Sequence, residues 1–331
     1  MNNESKKRTL LTTPAPHLKQ GETTRSIMIK VMIALLPATL WGISMFGKRA
    51  LVITLVSVVC SVLFEYLYQR VMRKPITVND GSAALTGLVI GLSLPVSIPV
   101  WMPVLAAFFA IVIVKQVFGG IGKNIVNPAV AAKALLLVMW PKSVSLYTKV
   151  GAKLPLFANV KATEGVVADN PLIALKNGHL PDVDVVDAFI GEVSGCIGEV
   201  SALMILLGGI YLLCRGVIKL HIPAAYIGTV AFLTFMFPKV TDAGPFMLHE
   251  VLCGGLIFGA FFMATDCVTT PITNDGKLIY GIGCGALTVL FRYYTPYDDG
   301  VVFAILIMNV LARFIDMLNV PKRFGGKKKK A

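Results

Sequence analysis

Charge is scarce in this chain. Of its 331 residues only 15% are Asp, Glu, Lys or Arg, against 56% apolar and a mean hydropathy of +0.75, which excludes an ordinary soluble domain and points to a protein that crosses a bilayer many times. Histidine is rarer still. The four present, His17, His179, His221 and His249, are scattered, and no Ser–His–Asp arrangement, H-E-x-x-H, Walker sequence or dinucleotide fingerprint occurs, so the chain offers no hydrolytic chemistry. The six cysteines (60, 196, 214, 253, 267 and 284) include no C-x-x-C pair, which argues against an iron–sulfur cluster or a zinc site. They read as small apolar packing residues.

What the sequence has instead is apolar runs of spanning length, about 20 residues each. Ten are counted, roughly at 27–45, 50–71, 81–97, 99–118, 126–141, 197–215, 221–238, 248–267, 277–293 and 300–318. The first follows a polar, basic stretch without a small-residue cleavage site and reads as a retained span. Five runs precede a long polar segment and five follow it, and two halves with an odd number of spans insert in opposite senses. Gly87-Leu-Val-Ile-Gly91 is echoed by Gly255-Leu-Ile-Phe-Gly259. The expected fold is therefore an all-α polytopic membrane protein of about ten helices in two inverted five-helix repeats, a plan that puts the site where broken helices meet. Its parts are a tail (1–26), a first repeat (27–141), an extracytoplasmic loop (142–196), a second repeat (197–318) and a basic tail (319–331).

The net charge of +13 shows no basic stripe interleaved with aromatics, so no nucleic-acid partner is implied. Threading ten spans puts most lysines and arginines on one side, including those of both tails, Arg70, Arg73, Lys74, Lys115, Lys123, Arg215 and Lys219, which makes both termini cytoplasmic. Lys48 and Arg49 are exceptions. The Lys327–Lys330 run suits anionic lipid headgroups.

The segment Phe118-Gly-Gly-Ile-Gly-Lys-Asn-Ile-Val-Asn-Pro-Ala129 cannot continue a spanning helix, and irregular backbone at membrane depth survives only against protein, water or a ligand. Gly119, Gly120 and Gly122 let backbone approach a planar or phosphate-bearing ligand. Asn124 and Asn127 offer both donor and acceptor to a heterocycle edge such as a flavin's pyrimidine end, and Asn127 before Pro128 also suits a helix N-cap. Asp266 ends the eighth run, where an acid opposes the helix dipole and calls for a cation, a proton, a basic partner or a cap onto the following turn. Glu65 lies inside the second run and faces the bundle. Glu199 and Glu250 are placed in the first turns of their spans, and Arg292 with Tyr293, Tyr294 and Tyr297 reads as an interfacial belt.

With Ile197-Gly-Glu-Val-Ser-Ala202, Phe262-Met-Ala-Thr-Asp266 and Phe303-Ala-Ile-Leu-Ile-Met-Asn309 added to the glycine-rich segment, the chain resembles the RnfD family of the Rnf complex and is similar to the NqrB component of the sodium-pumping NADH:quinone oxidoreductase. The resemblance covers about residues 15 to 320. It implies an inner-membrane, flavin-bearing subunit of a machine that moves electrons between ferredoxin and NAD while pumping Na⁺ or H⁺, with the other Rnf subunits as partners. It also implies riboflavin or FMN as cofactor. Glu65 and Asp266, carboxylates inside spans that need a charged or protonated resolution of their desolvation, are expected on the ion or proton path. The family joins FMN to a loop threonine through its phosphate. Here Asn170 stands in that place, within Glu164-Gly-Val-Val-Ala-Asp-Asn-Pro-Leu172, and an amide cannot form the phosphoester. Bound flavin is therefore expected to be non-covalent, with Thr163 a weak alternative for attachment. A small-solute channel or carrier, and a scaffold that has lost its cofactor, are the competing functions.

Overall fold

The structure is a computed structural model describing residues 23–152, 154–156, 167–168 and 170–319. Both tails, Thr163, Glu164 and Asp169 lie outside the described residues.

Long apolar runs without internal breakers give the longest helices. These are α1 (Thr24–Phe46), capped by the Thr23 hydroxyl, and α2 (Lys48–Val71), which follows after a single glycine. Next come α3 (Ser82–Leu92) and α4 (Trp101–Phe108), the latter running on as a π-helical segment, Phe109–Gln116. α5 is Pro128–Met139 and α6 is the single turn Pro141–Val144. The polar segment holds a two-stranded antiparallel pair, Tyr147–Thr148 with Val167–Ala168, a small exception to the all-α expectation, followed by α7 (Pro171–Lys176) and α8 (Val185–Ile190). The second half comprises α9 (Ala202–Cys214), α10 (His221–Met236), α11 (Ala243–Leu252), α12 (Leu256–Phe258) continued by the π-helical Gly259–Met263, α13 (Asn274–Tyr294) and α14 (Val301–Leu318).

Three helices, α1, α2 and α14, are long and apolar enough to cross a membrane alone, and α11 with α12 forms a further candidate bent by 57° at its break. The chain is thus mostly helical, in keeping with a multi-pass membrane protein. The third apolar run stops as helix at Leu92, because Ser93-Leu-Pro-Val-Ser-Ile-Pro99 carries two prolines, and each removes a backbone donor. The freed carbonyls are used. Ile197 N–H donates to Leu94 O at 3.1 Å and Gly198 N–H to Leu92 O at 2.7 Å, joining this break to the irregular Cys196–Val200 stretch. Arg49 closes the same region, donating to Ser97 O and Ile98 O at 3.3 and 3.0 Å and to Pro155 O at 3.0 Å. Arg49 is thus buried in a structural role.

α1 packs backbone to backbone on α9, where a methyl group on Gly208 would overlap the Ala34 carbonyl. The two Gly-x-x-x-Gly echoes differ in surroundings. Gly87 and Gly91 seat α3 on Ser57 and Thr54 of α2, whereas Gly255 and Gly259 face Glu199, Asp299 and Val301.

Candidate functional site

Both π-helical segments end at one place. The loop after Phe109–Gln116 carries Gly119, Gly120, Gly122, Asn124 and Asn127, and the loop after Gly259–Met263 carries Asp266. One side chain fastens the two together. Asn127 accepts from Ala129 N–H at 3.0 Å, capping α5, and its Nδ2 donates 3.1 Å to the carbonyl of Met263 at the end of the second π segment. π-helical turns are frequent at functional sites because they displace side chains from the regular helical rows.

Around this junction lies a cavity of about 340 Å³, lined by α1 (Ile27, Met28, Val31), α3 (Ser82, Leu85, Val89), Lys115, Gly122, Asn124, Asn127, Phe261, Phe262 and Asp266. Its size and largely apolar wall with a few converging polar groups are those of a small-molecule site. Asn124 is 8% exposed, and its Oδ1 has no hydrogen-bond partner among the described residues. Gly122 has a φ of 83° with open space where a Cβ would stand, so backbone borders the cavity there at no steric cost. Gly119 and Gly120 also take positive φ but do not line this cavity. A second cavity of about 330 Å³ lies beyond Asn124, between Gly122, Val268, Asn309 and Asp316.

Asp266 is half-buried. It accepts from Val268 N–H at 3.4 Å and from the Thr269 hydroxyl at 3.3 Å, and it has no lysine or arginine partner among the described residues. Of the resolutions open to an acid at a helix end, the cap onto the following turn is the one seen. Glu65 does face the bundle. Its Oε1 accepts from Lys115 Nζ and from Gln116 Nε2, each at 2.7 Å. Lys115, counted from sequence with the loop cations, is 2% exposed and inside the bundle. The signal available in the sequence was a basic residue at the end of an apolar run, beside another run that buries a glutamate.

Asn170 lies away from this junction. Its Oδ1 caps α7 by accepting from Leu172 N–H at 3.0 Å, the residue is 6% exposed, and the adjoining cavity holds only about 20 Å³, room for one water. That cavity has no room for a flavin.

At the same end of the molecule as Asn170 is a buried charge network that sequence reasoning missed. Lys133 of α5 reaches Glu199 at 2.6 Å, Arg292 of α13 reaches Glu250 at 2.8 Å and Asp299 at 3.2 Å, and Asp299 accepts from Gly255 N–H at 3.1 Å. Glu250 belongs to the last turn of α11, and Glu199 precedes the Ser201 cap of α9. The expectation of two first-turn acids is corrected: both are held by cations. Arg292 is likewise no interfacial residue, being 3% exposed.

The profile of the NQR2, RnfD, RnfE family matches residues 11–325. The chain is 40% identical over 319 residues to the D component of the Na⁺-translocating ferredoxin:NAD⁺ oxidoreductase complex of Acetobacterium woodii, covering 96% of this chain and 95% of that one. It is 37% identical to the D component of the proton-translocating ferredoxin:NAD⁺ oxidoreductase complex of Clostridium ljungdahlii, over 97% of each chain. A third relative, the D component of the ion-translocating oxidoreductase complex of Stutzerimonas stutzeri, is 36% identical over 90% of this chain and 91% of its own. The chain belongs to the NQR2, RnfD, RnfE family of membrane subunits.

Proposed function

We propose that this chain is the flavin-binding membrane subunit of an Rnf-type complex, in which electron transfer between ferredoxin and NAD⁺ is coupled to movement of Na⁺ or H⁺ and the other Rnf subunits are its partners. The observation that carries the reading is the 340 Å³ cavity whose buried Asn124 Oδ1 lacks a donor. A flavin's pyrimidine end supplies an N–H for such an acceptor, and an unpaired buried acceptor costs about 1–3 kcal/mol until satisfied. The residues present fit the group. Asn124 would hold its polar edge, Phe261 and Phe262 its ring faces, and the Gly122 backbone would allow close approach. When bound, the flavin supplies one- and two-electron carriage. The chain's own contribution is to shape the pocket, orient the ring system through Asn124, and place the charged side chains of Lys115 and Asp266 beside it.

Ten spans in two inverted halves, with both termini cytoplasmic in the cell inner membrane, belong to the same proposal. Its support is that each of the ten apolar runs contains helix, with α11 and α12 sharing one. Glu65 and Asp266 would lie on the ion or proton path. The test is the flavin content of the purified complex before and after denaturation. Flavin released from the native complex, with none left on this polypeptide, is expected, and a colourless complex permeable to a neutral solute would favour the carrier instead.

A further inference from the structure

The ion pair on the cavity wall is built like an occupied cation site. Lys115 Nζ sits 2.7 Å from Glu65 Oε1 and 2.6 Å from Ser82 Oγ, and Ser82 in turn donates to Asp80 at 2.6 Å. A carboxylate with hydroxyl oxygens is also the ligand chemistry of a small hard cation. More ligand capacity lies next to it in Glu65 Oε2 and, one helical turn away, the Ser61 hydroxyl, both buried without hydrogen-bond partners among the described residues. The Ser57 hydroxyl, a further turn along α2 and about 12 Å from Glu65 by helical rise, is likewise unpartnered among the described residues. Thr54, one step further along that helix, has turned its hydroxyl to the Ala50 carbonyl, which shows the ordinary alternative that the two serines do not take.

We infer that Lys115 is a tethered cation that exchanges with a free monovalent cation, Na⁺ or H⁺, at Glu65 according to the charge in the cavity. The inference rests on the flavin reading of that cavity. Lys115 lines the cavity as well as touching Glu65, and its four-carbon stem lets the ammonium swing between them. One electron arriving from the ferredoxin side adds one negative charge to the cavity occupant. The ammonium leaves Glu65 and pairs with that charge. The carboxylate, left uncompensated in a buried place, takes up one cation, so charge balances at one cation per electron. When the electron leaves, Lys115 returns and the cation is expelled. Asp80, half-buried beyond Ser82, keeps the local field negative.

The test is redox titration of the cavity flavin in the intact complex, in parent, Lys115→Met, Lys115→Arg and Glu65→Gln forms, at several Na⁺ concentrations and, separately, several pH values. In the parent, the one-electron midpoint should rise by about 59 mV per tenfold increase in the coupled cation, the value for one cation per electron. Sensitivity to Na⁺ at fixed pH identifies Na⁺, and a pH slope that Glu65→Gln removes, beyond the flavin's own proton uptake, identifies the proton. Lys115→Met should lower the midpoint and flatten its cation dependence, and Lys115→Arg should restore both in part. Glu65→Gln frees the ammonium and should raise the midpoint while abolishing cation dependence, so it reports even where Lys115→Met fails to assemble. Flavin present at parental occupancy with midpoints and slopes unchanged in Lys115→Met and Glu65→Gln overturns this inference alone. A parent complex with no flavin in the cavity overturns the flavin reading and this inference together.

Discussion

Asn124 and Asn127 lie three residues apart with identical side chains, yet the structure gives them opposite situations. Asn127 spends its oxygen on the α5 cap and its nitrogen on Met263, whereas Asn124 keeps a buried oxygen unused. Asn124→Ala should therefore weaken flavin binding by about 1–3 kcal/mol, the cost of an unsatisfied partner, while leaving thermal stability near parental. Equilibrium flavin titration of the variant complex checks it, and undiminished affinity would remove Asn124 from the site. Asn127→Ala should instead lower stability by about 1 kcal/mol through the lost cap. Asn170 gives a second outcome at this scale. With an amide in place of the hydroxyl, and its oxygen committed to Leu172, the denatured polypeptide should have the mass of the bare chain, and a mass increase of one FMN less water would refute this. The glycine-asparagine segment is legible in sequence because its elements are contiguous, and the departure at Asn170 because one atom type decides it. The pairing of Lys115 with Glu65 is not, since it depends on the π-helical winding that turns two consecutive residues, Lys115 and Gln116, toward one carboxylate.

Among the elements, the breaks matter more than the spans. The prolines after Leu92 and the glycines at Cys253–Gly255 end helices inside the bundle, and the freed backbone groups are taken by Arg49, Ile197, Gly198, Arg292 and Asp299. A hydropathy window counts these runs but does not see the bends, which is why it starts the eighth span too late and puts Glu250 in a first turn. An acid in the last turn of α11 faces an unfavourable dipole and is tolerated because Arg292 binds its side chain and its carbonyl, at 2.8 and 2.5 Å. Arg292→Met should strip the cation from both Glu250 and Asp299. Removal of one partner from a buried ionic group costs about 3–5 kcal/mol, so the variant should show a lowered unfolding midpoint in detergent and reduced assembly. Arg292→Lys should recover only part of this, because a single ammonium cannot bond Glu250, Cys253 and Asp299 in the fixed fork used here.

For the whole molecule, two clusters of charged side chains stand apart from the rest. Around Cys196–Val200 and the start of α14, carboxylates are matched to Lys133 and Arg292 in closed pairs. Around the π-segment junction the charges border space, with Lys115 and Asp266 on the cavity and Asp316 on its neighbour. The first group reads as a structural clamp, and on the proposed function the second is the working end. Asp266 separates these meanings experimentally. Its two hydrogen bonds, at 3.4 and 3.3 Å, cap the following turn, and the residue also lines the cavity. Asp266→Asn retains an acceptor oxygen for the turn and removes only the charge, so assembly and flavin content should stay at the parental level. Ion-coupled electron transfer should fall about tenfold, the effect of raising a barrier by about 1.4 kcal/mol, with ion uptake per electron falling further than the electron rate. Reconstituted vesicles carrying the variant complex report both quantities. Parental values for both, in a complex that assembles normally and holds its flavin, would reduce Asp266 to a residue that ends a helix.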